Sequence, residues 1–455
     1  MKIAIVGAGI GGLSTAVGLQ RAGADVTVFE RARTLRAGGS GLSIFANGLS
    51  ALETLGLREA FDAVTDPSVE GFAAGQRRAD GRWIAQVPND SVGALRIVDR
   101  ADLHRILLDA LAPETVRTGS AVTVTGTDGT LSITAGSESV DTTGTTSTPV
   151  PGSASGSKNS GAPPSTEENF DLVIGADGLH SRVRTVVDGE PAAPQYSGYS
   201  AWRGITSVPV DLAGEAGESV GHGRRFGIAP LADGRVYWFG VANMPQNAVF
   251  ADEKATVEQM FTGWHSPIAD LIAATPAEEV RRTPISDLSR RLARFHRGRV
   301  VLLGDAAHSM TPNLGQGGGQ ALEDAATLTV LLTPLIGKSP GSGTSRPGRT
   351  VEQDSATGAG PRAGVTPDQD PGKSASAPPN LAAALGRYDS LRRPRTQSIA
   401  QKSRLMGQLF QLESPLLARL RNAVFSAVPS RIIAAQAASV QKWSPPAPQS
   451  VRARL

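Results

Sequence analysis

The N-terminal thirty residues have the pattern strand, glycine turn, helix and strand. This pattern constrains the fold more than any other feature of the sequence. Lys2–Val6 is an apolar run typical of a buried parallel strand, and Leu13–Ala22 has the pattern of a helix. Val26–Phe29 predicts a second strand, which ends at the acid Glu30. The sequence GAGIGG joins the first strand to the helix, so the unit predicts a parallel α/β sheet.

The glycines of this turn fit the binding of a dinucleotide. Gly7 suits the tight turn, Gly9 allows a pyrophosphate to approach the backbone, and Gly12 allows the helix to pack closely on the strand. The acid that ends the second strand is placed to accept from a ribose hydroxyl. We assign Gly11 and Arg31 to the same site. The unit predicts an adenine dinucleotide and does not distinguish FAD from NAD.

A second strand followed by an acid lies in the middle of the chain. Leu172–Ile174 predicts a buried strand, Asp177 and Gly178 follow it, and a helix then carries Ser181 and Arg184. An aspartate at this place can cap the helix or contact a cofactor, and the pattern alone does not separate the two roles.

A third site of the same kind follows Val300–Leu303, another short apolar strand. Asp305 stands at its carboxyl end, where open α/β sheets hold ligands. After Pro312 a glycine-rich loop leads into a helix whose N-terminus favours negative charge. A glycine-rich connection without a ligand is the alternative. The loop residues predicted to contact a ligand are Gly315, Gln316, Gly317, Gly318 and Gly319.

Composition excludes several classes of protein. The 455 residues exceed one ordinary core, and the net charge is only +3, with few aromatic residues among the basic clusters. Nucleic acid is therefore not an expected partner. The chain has no cysteine, and its six histidines show no metal-ligand spacing, so no metal site is predicted. No apolar run is long enough for a transmembrane helix, and we expect a cytoplasmic protein.

The domain organisation follows from these patterns and from two shifts in composition. Residues 191–280 alternate in the manner of an antiparallel sheet, and two tracts rich in Ser, Thr, Gly and Pro can bury little and are predicted to be disordered insertions. The predicted division is a discontinuous cofactor domain of 1–70, 96–140, 169–190 and 281–335, a substrate domain of 71–95 and 191–280, insertions at 141–168 and 336–380, and C-terminal helices over 381–455.

The C-terminal part allows two interpretations. Leu416–Val440 is more apolar than the basic helix-forming stretch before it. It can be a packed terminal helix or a helix on a lipid surface, and weak segregation of charge favours the packed helix.

Taken together, the three sites resemble those of the single-component flavoprotein monooxygenases, the para-hydroxybenzoate hydroxylase-like family. GAGIGG with Glu30 resembles the ADP-binding motif of that family, DGLHSRVR its central DGxxSxxR motif, and GDAAHSMTPNLGQGGGQALEDA its GD motif. GYSAWRGI and GRRFGIAPLADGRVYWF are most similar to urate hydroxylases, zeaxanthin epoxidases and salicylate hydroxylase-like enzymes. The tryptophan signature of flavin halogenases is absent.

This resemblance implies an α/β Rossmann-like FAD-binding domain, an inserted antiparallel substrate sheet and a C-terminal helical segment. It also implies roles for single residues. Asp305 would bind the ribityl hydroxyls, Arg203 on the substrate-side strand would contact the substrate, and Pro312 would begin a loop against the flavin ring. Further FAD contacts implied by the family are Ser43, Arg100, Val122 and Asp177. Family members often have Pro-Asn where this chain has Ala46-Asn47, and a larger residue or Asn at Gly319-Gln320.

The implied reaction uses non-covalently bound FAD, NADH or NADPH, and O₂. In the family a C4a-hydroperoxyflavin transfers one oxygen atom to an aromatic or polyene substrate. A flavin-linked dehydrogenase or reductase, and a flavin-binding protein without turnover, remain alternatives, as do a monomer and a homodimer. No general base is assigned. His308 is expected to be structural, and Tyr199 and Tyr237 are candidates.

Overall fold

A computed structural model describes residues 1–35, 40–87, 93–135, 165–337 and 377–447. The strands are β1 Lys2–Val6, β2 Asp25–Phe29, β3 Gly41–Phe45, β4 Ala74–Arg78, β5 Trp83–Val87, β6 Leu95–Asp99, β7 Val116–Arg117, β8 Ser120–Val124, β9 Thr130–Ala135, β10 Ser165–Asn169, β11 Leu172–Gly175, β12 Pro194–Ile205, β13 Gly217–Val220, β14 Arg224–Pro230, β15 Val236–Asn243, β16 Arg281–Leu288, β17 His296–Arg297 and β18 Val300–Leu302. The helices are α1 Ile10–Arg21, α2 Ala46–Thr54, α3 Arg58–Asp62, α4 Arg100–Asp109, α5 Val183–Asp188, α6 Glu253–Met260, α7 Ile268–Ala273, α8 Asp305–His308, α9 Gly317–Ile336, α10 Pro379–Phe410, α11 Pro415–Ala427 and α12 Ser430–Gln441.

A six-stranded sheet forms the first half of the fold, in the order β17-β18-β11-β1-β2-β7. The four central strands, β18, β11, β1 and β2, are parallel and buried, as their short apolar sequences predict. Helices α1 and α9 pack against each other beside this sheet, and Gly18 of α1 lies so close to α9 that an added Cβ would be 2.2 Å from Thr329 Oγ1. The main core of the molecule lies between these elements.

A seven-stranded sheet forms the second half, in the order β16-β12-β15-β14-β13-β4-β5. All of its pairs are antiparallel except β13 with β4. One face carries Trp202, Trp238 and Phe226, which pack against helices α6 and α7. The opposite face carries Tyr199, Ala201, Ile205, Tyr237 and Phe239. Because side chains alternate along a strand, Arg203 belongs to this second face.

The structure corrects three of the predicted boundaries. Arg281–Leu288, which was predicted to belong to the cofactor domain, is an edge strand of the seven-stranded sheet. It pairs with β12, a segment that lies far from it in the sequence. Ser165–Asn169 forms a third strand beside β8 and β9, where Glu168 pairs with Lys2 and Arg117. Helix α10 begins at Pro379, inside the second predicted insertion. Ile336 is still part of α9, and residues 141–164 and 338–376 of the two insertions lie outside the described residues.

The C-terminal part consists of three helices. Helix α10 crosses from the parallel sheet to the seven-stranded sheet, since Tyr388 donates to the Leu302 carbonyl and Gln411 bonds to Arg225. No single helix among the described residues is long and apolar enough to cross a bilayer. The pair α11 and α12 reaches that length and composition only when it is counted together across a 91° bend.

Candidate active site

The site is built at the carboxyl edge of the parallel sheet. The registers Val6↔Gly175 and Gly175↔Leu302 align the ends of three strands, and β2 is aligned with β1 in the same way. The three sequence motifs, which lie up to 300 residues apart, are therefore brought to one edge. The predicted residues that follow these four strands are Gly7, Glu30, Asp177 and Asp305.

The first glycine turn is shaped for a ligand with phosphate groups. Gly7 has φ +110°, and a Cβ there would lie 2.4 Å from the Ala176 carbonyl oxygen. A Cβ on Gly12 would lie 2.1 Å from the Gly7 carbonyl oxygen, so the helix packs directly on the turn. At Gly9 an added Cβ would meet no atom within 4 Å. Helix α1 starts here without a side-chain cap, which leaves its first N–H groups available to an anion.

Glu30 is held by backbone groups at the end of β2. Its carboxylate accepts from Ala8 N at 3.0 Å and from Ala32 N at 2.9 Å. His104 of α4 approaches the same turn, with its Nε2 2.9 Å from the Ala8 carbonyl oxygen. A carboxylate has about four lone-pair positions, so Glu30 retains acceptor capacity for a ribose hydroxyl. Arg31 is exposed beside it.

Asp177 caps a helix with one carboxylate oxygen and leaves the other oxygen unpaired. One oxygen, Oδ2, accepts from Arg182 N at 2.8 Å and from Val183 N at 3.2 Å, and so caps the start of α5. The other oxygen, Oδ1, is buried and has no hydrogen-bond partner within the described part of the chain. A buried unpaired oxygen is costly, and a bound hydroxyl or amide group would satisfy it.

Arg184 connects the second motif to the third. It is buried, and its guanidinium group donates only to backbone carbonyls. Burial lowers its pKa, although the charges of Asp177, Asp305 and Asp188 oppose that shift. The arginine therefore fixes the position of one cofactor loop relative to the other. Its five acceptors are the carbonyl oxygens of Ala306 at 2.8 Å, Ala192 and Leu179 at 2.9 Å, Asp305 at 3.0 Å and Gly178 at 3.2 Å.

Arg100 lies within electrostatic reach of Asp305, which follows the parallel strand β18, and of Arg203, on the seven-stranded sheet. We call this place the junction. The Asp305 side chain is exposed to solvent at this junction, although many protein atoms surround it. Burial by these atoms raises the pKa of Asp305, and the charges of His308, Arg100 and Arg184 lower it to a smaller extent. Burial lowers the pKa of Arg100, Asp305 opposes this shift, and Arg203 adds to it. Three residues predicted from separate segments thus form one cluster.

Tyr237 contacts the same cluster from the seven-stranded sheet. Burial raises the pKa of its phenol, while the positive charge of Arg203 lowers it to a smaller extent. The phenol is therefore protonated at neutral pH and can donate a hydrogen bond. Its ring also lies against Gly41, where a Cβ would be 2.3 Å from the ring.

The third motif forms a loop and a helix start. A 3₁₀ turn covers Pro312–Leu314, and Gly315 follows with φ +61° beside Phe45 and Ser43. Helix α9 then starts at Gly317, where an added Cβ would meet no atom within 4 Å, and it has no side-chain cap. The structure therefore brings the predicted Ser43 and the glycine-rich loop together. Val122 lies apart from them in β8, with its side chain against the main core.

Comparison with known proteins assigns this arrangement to a family. A family model described as an FAD binding domain matches residues 1–342. The aurachin C monooxygenase/isomerase of Stigmatella aurantiaca is 36% identical over 342 residues, which are 73% of this chain and 81% of that protein. The FAD-dependent urate hydroxylase of Klebsiella pneumoniae is 33% identical over 341 residues, 72% of this chain and 80% of that protein. The chain belongs to this family of FAD-dependent monooxygenases.

A solved structure supports the same assignment. The structure of Klebsiella pneumoniae HpxO in complex with FAD and uric acid superposes on this chain with a TM-score of 0.73 and 25% identity. The superposition covers 97% of this chain and 96% of the HpxO chain. The predicted family, fold class, FAD cofactor and monooxygenase activity are confirmed, and NAD(P)H is the usual co-substrate of the family.

The residues of the monooxygenase fit FAD at this edge of the sheet. The open space at Gly9 and Gly317, the two uncapped helix starts and the unpaired Oδ1 of Asp177 suit a long ligand with both phosphate and hydroxyl groups. Asp305 lies between these groups, at the end of β18. FAD is the ligand of this kind that the family binds.

Sequence analysis missed a buried charge network behind the glycine-rich loop. Arg392 of α10 donates from Nε to Asp324 Oδ1 at 2.6 Å and also bonds to Glu323 Oε2. Asp324 Oδ2 accepts from Gly304 N at 2.8 Å and lies 2.6 Å from His308 Nε2. All four side chains are almost fully buried. The adjacent acids in an apolar helix were the available signal, since buried acids require cationic partners.

The monooxygenase should lose stability between pH 4 and pH 2 through Asp324. Burial alone would raise its pKa, but His308 and Arg392 outweigh burial and lower it from 3.8 to about 2. The contribution is therefore complete above pH 4 and is lost as the pH falls toward 2, in total about 2 kcal/mol. Urea unfolding at several pH values should show this slope.

The control for that experiment uses an aspartate on the surface. Asp324→Asn should flatten the slope below pH 4, whereas Asp62→Asn on the exposed face of α3 should leave it unchanged. An identical acid profile in wild type and Asp324→Asn would contradict the assignment.

A second missed group joins the loop at Pro312 to the seven-stranded sheet. Buried Arg225 donates to Asn313 Oδ1 at 2.7 Å and to Gln411 Oε1 at 3.0 Å. Asn313 Nδ2 donates in turn to the Tyr199 hydroxyl at 2.9 Å. Burial raises the pKa of Tyr199, so this phenol also remains protonated at neutral pH. No sequence motif pointed to Arg225, because its partners come from two distant segments.

Proposed function

We propose that this monooxygenase uses NADH or NADPH and O₂ to hydroxylate or epoxidise a small planar aromatic or unsaturated molecule bound next to Arg203. Bound FAD supplies the hydride acceptance and the oxygen activation that no side chain can provide. In this proposal the parallel sheet and its helices form the FAD-binding domain. The seven-stranded sheet with α6 and α7 forms the substrate domain.

The cluster of charges at the junction carries this proposal. Asp305 offsets the charge of Arg100, whereas Arg203 has no carboxylate within 4.0 Å among the described residues, so its positive charge is available to a ligand. A guanidinium group binds carboxylate and carbonyl oxygens in the plane of its fork. Together with the phenol of Tyr237 as a donor, it favours an aromatic substrate with an acidic or carbonyl group. The uric acid bound by the solved relative is a molecule of that kind.

The other predicted residues receive proposed roles in the same frame. Pro312 and the loop after it would cover the flavin ring and exclude water, while the first N–H groups of α9 would stabilise negative charge on the ring. Tyr199 and Tyr237, held protonated, would orient the substrate as donors rather than act as bases. The proposed FAD contacts are Gly7, Gly9, Gly11, Gly12, Glu30, Arg31, Ser43, Arg100, Val122, Asp177, Asp305, Gly315, Gln316, Gly317, Gly318 and Gly319.

Arg203→Ala should separate cofactor binding from substrate binding. We expect the variant to keep its FAD and its basal NAD(P)H oxidation, and to lose the stimulation of both NAD(P)H oxidation and O₂ uptake by a substrate. The reason is the loss of a charge-assisted bond of about 1.5–3 kcal/mol, roughly a 10- to 150-fold weaker substrate affinity. A panel of uric acid, aromatic acids and polyenes, with an oxygen electrode, measures this.

The matched control is Arg235→Ala, another arginine of the same sheet that pairs with Asp233 at a hairpin. It should behave like wild type. If Arg203→Ala loses FAD, Arg203 belongs to the cofactor site and the proposed substrate role is wrong. Stimulated NAD(P)H oxidation without O₂ uptake would instead support a dehydrogenase.

A further inference from the structure

Helix α11 presents a row of apolar side chains to solvent. Leu416, Leu417, Leu420 and Val424 are 74%, 50%, 61% and 53% exposed. At 100° per residue these four positions fall within a 100° arc of one helix face. Together with Ile432 of α12 they are five of the eight large apolar side chains that are strongly exposed in the described residues. Such a concentration on one helix marks a binding surface.

The opposite side of α11 is packed on the protein. Ala418 is buried, and Phe425 packs against Phe410 with ring centroids 5.3 Å apart and the rings tilted by 42°. Arg421 donates to the carbonyl oxygens of Phe410 at 3.2 Å and Gly221 at 3.4 Å. The helix is therefore anchored, and its apolar row, which we name the α11 row, faces outward from a fixed position.

A cationic cavity lies beside α11. It has a volume of about 430 Å³ and contains an arginine pocket formed by Arg78, Arg224, Arg419 and Arg421. His222 also lines it, and its single acid is Asp80, which lies 3.8 Å from Arg82. Within the described residues no carboxylate lies within 4.0 Å of these four guanidinium groups. Four arginines with no carboxylate partner within that distance form a site for an anionic group such as phosphate.

The charge of the whole segment points in the same direction. Between Pro415 and Ala447 the sequence has four basic residues, Arg419, Arg421, Arg431 and Lys442, and no Asp or Glu. An outward apolar row next to unpaired positive charge is complementary to the surface of a phospholipid bilayer, where phosphate groups lie next to the acyl chains. A second copy of the chain would bring two positive surfaces together, which opposes self-association through this face.

We propose that α11 and α12 lie on the surface of an anionic phospholipid bilayer, with the α11 row in the acyl boundary and the arginine pocket on a headgroup phosphate. The two helices have 13 and 12 residues, about 20 Å each, which is short of the roughly 30 Å hydrocarbon core. The 91° bend between them prevents a straight span. The segment therefore lies along the surface and does not cross it.

Vesicle flotation of the FAD-loaded protein tests this proposal. We expect binding to vesicles of phosphatidylcholine with phosphatidylglycerol, weak binding to phosphatidylcholine alone, and a loss of binding at high salt. Leu416→Gln/Leu420→Gln should reduce the bound fraction at least about tenfold, and Arg419→Gln should reduce the preference for anionic lipid. FAD content and NAD(P)H oxidation should not change in these variants.

The matched control is Val208→Gln/Val249→Gln, which removes two apolar side chains that lie outside α11 and α12 and are 53% and 74% exposed. It should bind vesicles like wild type. The proposal is overturned if wild type binds neither vesicle, or if the α11 variants bind as well as the control. It is also overturned if wild type sediments as a dimer that Leu416→Gln/Leu420→Gln dissociates while no lipid binds.

Discussion

Replacing Arg392 with methionine should lower the free energy of unfolding of the FAD-loaded protein by about 3–5 kcal/mol. The arginine donates to Glu323, Asp324 and Gln320, and all of these groups are buried. Methionine fills most of the volume but leaves two carboxylates with one cation fewer inside the protein. Removing one partner of a buried charge pair costs more than the pair contributes, because the remaining charge has lost its hydration.

The adjacent arginine provides the control. Arg393 is on the same helix, one residue further on, and pairs with Asp389 near the surface. Arg393→Ala should cost no more than about 1 kcal/mol. Urea unfolding followed by circular dichroism and by flavin fluorescence measures both variants. Equal losses in the two variants would show that the network is not the principal ionic support of α9 and α10.

Asp305→Ala should weaken FAD binding by roughly 10- to 150-fold, the equivalent of one charge-assisted hydrogen bond of about 1.5–3 kcal/mol. The carboxylate stands just after β18, at the first residue of α8, and is an accessible acceptor of the junction. Its backbone carbonyl still accepts from Arg184 after the substitution. Titration of the apoprotein with FAD, followed by the quenching of flavin fluorescence, measures the affinity.

The conservative variant distinguishes a ligand contact from a structural effect. Asp305→Asn keeps the size and one acceptor oxygen, so it should recover part of the affinity. The unfolding of each apoprotein should be measured in parallel, because Arg100 loses a compensating charge in both variants. FAD affinity equal to wild type in Asp305→Ala would contradict the proposed contact with the ribityl chain.

Local patterns predicted those parts of the fold in which one segment determines its own structure. Lys2–Val6 and Val300–Leu302 are apolar and too short for helices, and both are buried parallel strands. The glycine turn after the first strand has the conformation that its sequence requires, with φ +110° at Gly7. Pairing over long distances was not visible. Arg281–Leu288 alternates weakly, and only its position beside β12 makes it part of the second sheet.

The site shows the same division. Asp305 was predicted from its position after a buried strand, and Arg100 and Arg203 were predicted by resemblance. In the structure Arg100 lies within electrostatic reach of both other residues. Arg225 and Arg392 were not predicted, because the sequence around an arginine does not show whether its side chain is buried or exposed to solvent. Their partners, Asn313 and Asp324, lie 88 and 68 residues away in the sequence. Burial of these arginines depends on contacts between distant segments, so no short stretch of the sequence predicts it.

The distance between Asp324 and Arg392 also sets an order of events during synthesis of the chain. A ribosome adds roughly 5–20 residues per second, so the 68 residues between them take roughly 3–14 s. During that interval the nascent protein carries Glu323 and Asp324 on α9 without Arg392, and only His308 is already present beside Asp324. Water must keep hydrating both carboxylates, so the layer behind the glycine-rich loop stays open until α10 leaves the exit tunnel. The parallel sheet is therefore complete at β18, but its closure waits for α10.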